Sequence, residues 1–299
     1  MSHVFQDDET LAAPLDGPRA FVTGWPVWHS RSPLIHGTWL RELRLAGSYQ
    51  RLGIPPEEIG EFLEGFLAGP FVGGNVTIPH KEAVFRALDR RDAAAEAIGA
   101  VNTLWREGGT LVGGNTDAYG FSANLDERLS GWADATEALV LGAGGAARAV
   151  VHALLERGVT RVAILNRTSD RAIALAESFG ARASGHGEEE RETLLARTDL
   201  LVNTVPIPPV DPEMARFGYE PPLPDLSALP DHALVTDIVY VPIETPVLRA
   251  ARARDLRAAD GLGMLLHQAA PGFERWFGRR PEVTPALRDA VLADIARAG

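Results

Sequence analysis

From Ala20 onward, short apolar runs alternate with longer stretches whose apolar positions recur at helical spacing. Phe21-Val22-Thr23 predicts a strand, and Pro33 predicts the opening of a helix, where its fixed φ suits the first turn. A helical run near Glu57 to Leu67 comes next, then a strand from Phe71 to Val76, a helix from Lys81 to Leu88, and a strand from Val101 to Trp105. Arg106-Glu107-Gly108-Gly109-Thr110 reads as a hairpin turn with two glycines at its tip. The first domain is expected to end close to Asp117.

A second alternation begins at Ala138-Leu139-Val140-Leu141, a buried strand, and runs through a glycine loop into a helix from about Ala146 to Arg157, stopped by Gly158. Strands at Val162 to Leu165, Leu200 to Val202 and Ala233 to Ile238, with a helix from Arg171 to Phe179, predict a parallel sheet with crossover helices. Between the last two strands, Pro206 to Pro230 holds eight of the chain's 21 prolines and is too long for a routine loop. It reads as a lid or an insert. From Gly261 the pattern is helical, ending in a surface helix from Pro285 to Ala298.

A length of 299 residues agrees with two domains, and no apolar run approaches the roughly 18 residues of a membrane helix. The first residues lack a basic stretch followed by an apolar one, so no secretion signal is read and a cytoplasmic protein is expected. Cysteine is absent, which excludes disulfides, thiolate nucleophiles and Cys-ligated metals. Redox chemistry would need a borrowed cofactor. The net charge of −11 argues against nucleic acid and leaves an anionic substrate dependent on local donors.

Gly142, Ala143, Gly144, Gly145 and Ala146 follow a strand and open a helix, the context in which backbone amides cradle a pyrophosphate. The bland alternative is a plain tight turn. At the end of the next strand stand Asn166, Arg167 and Thr168 with no acidic residue, which favours a 2′-phosphate and hence NADP over NAD. Arg167 as a mere surface residue is the rival. Ser30 and Ser32 precede Pro33; Ser32 is a natural helix cap, while two hydroxyls beside helix-terminal amides also make a small carboxylate site.

Lys81 stands at a strand-to-helix junction after Thr77, Pro79 and His80, and Asp117 at the expected domain boundary after Asn115 and Thr116. A solvated lysine and a capping aspartate are their structural alternatives. His29 and His36 match no zinc spacing, and no metal site is expected.

Taken in order, His29 to Pro33, Asn75 to Lys81, Val101-Asn102-Thr103, Gly114 to Asp117, Gly142 to Ala147, Asn166 to Thr168 and Asp260-Gly261-Leu262-Gly263-Met264 with Gln268 resemble the shikimate dehydrogenase family. The resemblance implies a two-domain α/β fold, a substrate-binding domain and a Rossmann-type NADP-binding domain with a cleft between them. It implies residues 1–116 for the first, with 262–299 returning to it, and 117–261 for the second. It further implies interconversion of 3-dehydroshikimate and shikimate in aromatic amino-acid biosynthesis, with Lys81 and Asp117 as the catalytic pair. Ser30 and Ser32 would bind the substrate carboxylate; Thr77, Asn102, Asp117 and Gln268 its ring hydroxyls. Tyr240 and Gly261 would lie near the nicotinamide and substrate.

Two positions depart from the family pattern. Val205-Pro206-Ile207 stands where a stretch ending in Gly-Met is common, and Trp28 is bulkier than the residue usual before the His-Ser pair. A paralogue acting on quinate or an aminated analogue is one alternative, and a non-catalytic NADP-binding regulator another. Monomer and homodimer both stay open.

Overall fold

β1 (Arg19–Gly24) buries Ala20, Phe21 and Val22 almost completely, which a strand can do only inside a sheet with both faces covered. The computed structural model describes residues 16–207 and 223–298, and its chain divides into two compact units. One runs to Gly120 and resumes at Leu265; the other is Phe121–Met264. The middle of the proline-rich connection, 208–222, lies outside the described residues.

In the first unit, α1 (Ser32–Glu42), β2 (Ser48–Gly53), α2 (Ile59–Gly65), β3 (Phe71–Val76), α3 (Lys81–Ala87), β4 (Arg90–Arg91), α4 (Ala93–Ile98), β5 (Thr103–Glu107) and β6 (Thr110–Gly114) follow β1. The sheet order is β2-β1-β3-β5-β6-β4. β1 is parallel to β2 and β3, whereas β5 runs antiparallel to β3 and β6, so this sheet is mixed. Gly108 and Gly109 turn the β5–β6 hairpin with φ of 58° and 78°, values open to glycine at no steric cost. The strand β2 is absent from the sequence reading, because Ser48-Tyr49-Gln50-Arg51 offers no apolar alternation.

α5 (Asp117–Arg128) leads out of β6, and the second unit then strings β7 (Glu137–Leu141), α6 (Gly145–Glu156), β8 (Arg161–Leu165), α7 (Ser169–Glu177), β9 (Ala183–His186), α8 (Arg191–Leu195), β10 (Leu200–Asn203), β11 (Leu234–Asp237), α9 (Pro246–Arg252) and β12 (Ala258–Ala259). Every ladder is parallel, in the order β12-β11-β10-β7-β8-β9. The order reverses direction at β7, the position after which dinucleotide folds bind their ligand. One core cluster joins Leu139, Leu165, Leu201 and Val235 to Leu194 and Ala251 of the covering helices.

α10 (Leu262–Phe277) and α11 (Pro285–Ala298) complete the chain. Trp276 of α10 packs with Val22, Tyr49 and Trp105, and its indole N–H donates to the Leu104 carbonyl at 2.8 Å. A Cβ on Gly73 would fall 2.2 Å from that indole nitrogen, so the absent side chain makes the seat for Trp276. Among the described residues no helix is long and apolar enough to cross a membrane.

Candidate active site

Lys81 is the first residue of α3, and its carbonyl accepts the amide of Val101, which ties the helix start to the entry of β5. Its Nζ donates to Asp117 Oδ2 at 2.6 Å, with the two side chains 21% and 11% exposed. The other oxygen, Oδ1, accepts from Asn102 Nδ2 at 2.8 Å. Asp117 therefore does not cap α5: its carboxylate is turned to Lys81 and Asn102, and Asn115 Oδ1 accepts the Asp117 amide instead. The ion pair is partly open to solvent and partly buried, as a proton-transferring group must be.

Asn102 is wedged between strands: its carbonyl accepts from Val76 and its amide donates to Gly114. Its side-chain oxygen accepts from the Thr116 amide at 2.9 Å and the Thr103 hydroxyl at 2.8 Å. Buried polar groups need such partners, and this network fixes the ring of side chains around Asp117. Gln268 of α10 joins it, its Oε1 accepting from the Thr116 hydroxyl at 3.5 Å and its Nε2 donating to Leu265. Thr77 is half-buried at the end of β3, and its carbonyl accepts the amide of His80. His80 Nε2 lies 2.7 Å from the Ile54 carbonyl, so the ring proton sits there; burial pulls this imidazole below its ordinary value.

At the other end Arg31, not Ser32, occupies the cap position of α1, and no side chain caps it. Ser30 Oγ accepts the Ser32 amide at 3.3 Å, which leaves the buried Ser32 hydroxyl unused by the helix. Facing it is the phenol of Tyr49, which donates to Asn75 Oδ1 at 2.5 Å. Burial drives this phenol well above its ordinary value, so it stays a neutral donor. Sequence reasoning missed Tyr49, for which a polar pattern on an undetected edge strand left no signal, and gave Asn75 no role beyond heading the motif that ends at Lys81. His36 is sealed in an aromatic cage, stacked 3.9 Å from Tyr49.

In the second unit, Gly142 has φ of 98° and Gly144 stands at the cap position of α6 with no side chain accepting from the helix amides. Among the described residues, a Cβ on Gly144 or Gly145 would meet nothing within 4 Å, so there space lies open before amides that lack an acceptor. Such a cradle fits a pyrophosphate. Asn166 Nδ2 donates to the Thr168 carbonyl at 2.9 Å and shapes the turn after β8. Arg167 is exposed, as is Arg171 one turn into α7, and neither guanidinium has a partner among the described residues. Two unpaired cations fit a 2′-phosphate. Arg171 escaped the sequence reading because a helical arginine looks like any solvated one.

Tyr240 follows β11 and is half-buried. Gly261 is tightly packed, since a Cβ would come 2.3 Å from the Ile238 carbonyl oxygen. Both belong to the second unit, whereas Ser30, Ser32, Thr77, Lys81, Asn102, Asp117 and Gln268 belong to the first.

Three family models match the chain: the shikimate dehydrogenase substrate binding domain over 22–104, shikimate / quinate 5-dehydrogenase over 125–208, and the shikimate 5′-dehydrogenase C-terminal domain over 261–292. A shikimate dehydrogenase (NADP(+)) from Brucella melitensis is 55% identical over 294 residues, 98% of this chain and 99% of that one. The shikimate 5-dehydrogenase of Thermus thermophilus, solved with NADP(H) and shikimate, is 39% identical with a TM-score of 0.78, covering 94% of this chain and 99% of that one. The quinate dehydrogenase of Corynebacterium glutamicum, solved with NAD, is 30% identical with a TM-score of 0.81, covering 93% and 99%.

Proposed function

Because the chain belongs to the shikimate dehydrogenase family, we propose that it is an NADP-dependent oxidoreductase interconverting 3-dehydroshikimate and shikimate, a step of aromatic amino-acid biosynthesis. The observation that carries the reading is the Lys81–Asp117 pair, 2.6 Å apart and braced by Asn102. A non-catalytic nucleotide-binding protein need not keep both members of such a proton-transfer pair, and their joint presence speaks against that reading.

The resemblance puts the substrate domain at 1–116 with 262–299 and the cofactor domain at 117–261; the compact units divide a few residues later, after Gly120 and after Met264, so Asp117 stands with the substrate side. Gly142 to Ala146 would hold the pyrophosphate of NADP, with Asn166, Arg167, Thr168 and Arg171 on its 2′-phosphate end. When bound, this cofactor supplies the hydride acceptor in the oxidative direction and the donor in the reductive one. Ser30 and Ser32 receive the substrate carboxylate. Thr77, Asn102 and Gln268 would hold ring hydroxyls, and by the family resemblance Tyr240 and Gly261 would serve the nicotinamide end of the cofactor in the second unit.

In the reductive direction, alkoxide charge grows on the former ketone oxygen, and Lys81 Nζ donates it a proton. In the oxidative direction Lys81 takes the hydroxyl proton. Asp117 orients Nζ through Oδ2, and Asn102 locks that carboxylate through Oδ1. Shikimate is favoured over quinate because the Ser32 hydroxyl and Thr77 leave little room for an additional hydroxyl on the carbon bearing the carboxylate.

The test is nicotinamide reduction by the purified protein with shikimate or quinate, each with NADP or NAD. Turnover fastest with shikimate and NADP is expected. No turnover in any pairing would sink the enzyme reading.

A further inference from the structure

β2 is the edge strand of the first unit's sheet, and Tyr49, Arg51 and Gly53 share one of its faces. The loop between β1 and α1 lies along that face in reverse order. Tyr49 meets Ser32, Arg51 meets Ser30, and Gly53 meets Trp28, whose Cζ2 would stand 2.9 Å from a Cβ placed on that glycine. Trp28 thus packs on strand backbone, which accommodates the bulk that departs from the family pattern.

The Arg51 contact is the most constrained of the three. Its Nε and Nη2 both donate to the Ser30 carbonyl, at 3.1 and 2.9 Å, and the side chain is half-buried. Ser30 is thereby held by its backbone while its Oγ accepts the Ser32 amide. A guanidinium carries its donors in a rigid planar fork, so two bonds to one oxygen fix the loop more firmly than a single flexible amine would. It also puts a permanent cation beside the two hydroxyls in a chain whose net charge is −11.

We propose that Arg51 is a positioning residue for an anionic substrate group: it sets the Ser30 carbonyl so that the Ser30 and Ser32 hydroxyls converge, and it supplies a local cation in a chain of acidic net charge. This rests on the assignment of the two serines to the substrate carboxylate. A loop tie without that role would support any substrate equally. Selectivity for the carboxylate is the property that separates the two.

The experiment compares shikimate with its uncharged methyl ester, at saturating NADP, in wild type, Arg51→Gln and Arg51→Lys; if the ester is not oxidised, its inhibition constant against shikimate is measured instead. Arg51→Gln is expected to raise KM for shikimate about tenfold, equivalent to about 1.4 kcal/mol, and to move the ester constant and the KM for NADP less than about twofold. Arg51→Lys, keeping the charge, should recover part of the preference for the acid. Equal losses for acid and ester would overturn the proposal, as would an unchanged shikimate KM. If Arg51→Gln does not fold, as judged by circular dichroism, the Arg51→Lys comparison decides by the same criterion. Failure of the wild type to oxidise shikimate overturns the functional reading itself and is seen before any variant is made.

Discussion

Lys81 Nζ lies 2.6 Å from Asp117 Oδ2 although 36 residues separate them, because α3 and α5 follow β3 and β6, which flank β5 and run in the same direction so that both end on one edge of the sheet. Truncating Lys81→Ala should lower kcat by about 10²- to 10⁴-fold, the usual worth of a positioned acid-base group. Binding of NADP, followed by fluorescence of the reduced nucleotide, should stay as in the wild type. Full turnover in this variant would remove Lys81 from the mechanism.

Asn102 holds Asp117 Oδ1 and the Thr116 amide at once. Replacing it in Asn102→Ala leaves buried partners unsatisfied at a cost of about 1–3 kcal/mol. Both the melting temperature and kcat/KM should fall. A variant that melted lower with kinetics intact would make Asn102 a scaffold residue only.

Arg167 is exposed just after β8 and has no partner among the described residues. Charge reversal in Arg167→Glu should raise KM for NADP by about ten- to a hundredfold while shifting KM for NAD far less, since a carboxylate repels the 2′-phosphate alone. Parallel losses for the two nucleotides would contradict the assigned contact.

His36 is buried among Tyr49, Trp39, Phe273 and Trp276, and among the described residues neither ring nitrogen makes a hydrogen bond of good geometry, the Asn75 side chain being no more than a weak neighbour. Burial outweighs a smaller opposing pull from Asn75 and lowers its value from 6.5 to about 3. The unfolded chain then binds the proton more readily, so stability is full above 6.5 and is lost as pH falls from there towards 3. Between pH 7 and pH 5 the loss from this one group is about 2 kcal/mol. Urea unfolding at both values should show it, and His36→Phe should flatten the difference. An unchanged slope in that variant would refute the assignment.

Gly73 makes room for Trp276. In Gly73→Ala the added methyl meets the indole and the Leu104 carbonyl, and overpacking of this kind costs about 1–3 kcal/mol. Thermal unfolding should register the loss. A variant as stable as the wild type would show that α10 can shift on the sheet.

Much of the architecture was legible because it repeats locally. The buried strands β1, β3, β7 and β8 are apolar runs, and the glycines at 108, 109, 142 and 158 stand where positive φ is required, so each announces itself within a few residues. β2 did not, since Ser48, Gln50 and Arg51 are polar residues held in a sheet by its neighbours. Ser32 misled for a related reason. A serine before Pro33 has the local chemistry of a cap, but the cap position fell on Arg31, one residue earlier.

By itself the sequence determined which chemical groups are present and in which local context: a lysine at a helix start, an aspartate after a strand, a glycine loop between strand and helix, an arginine where 2′-phosphate would lie. It could not decide whether Asp117 caps its own helix or turns to Lys81. A local cap and a partly exposed ion pair are each worth about 1 kcal/mol, so local energetics leave either outcome within reach. Tertiary structure decided it, because the Asn102 side chain, anchored between β3 and β6, takes one carboxylate oxygen and leaves the other aimed at Nζ.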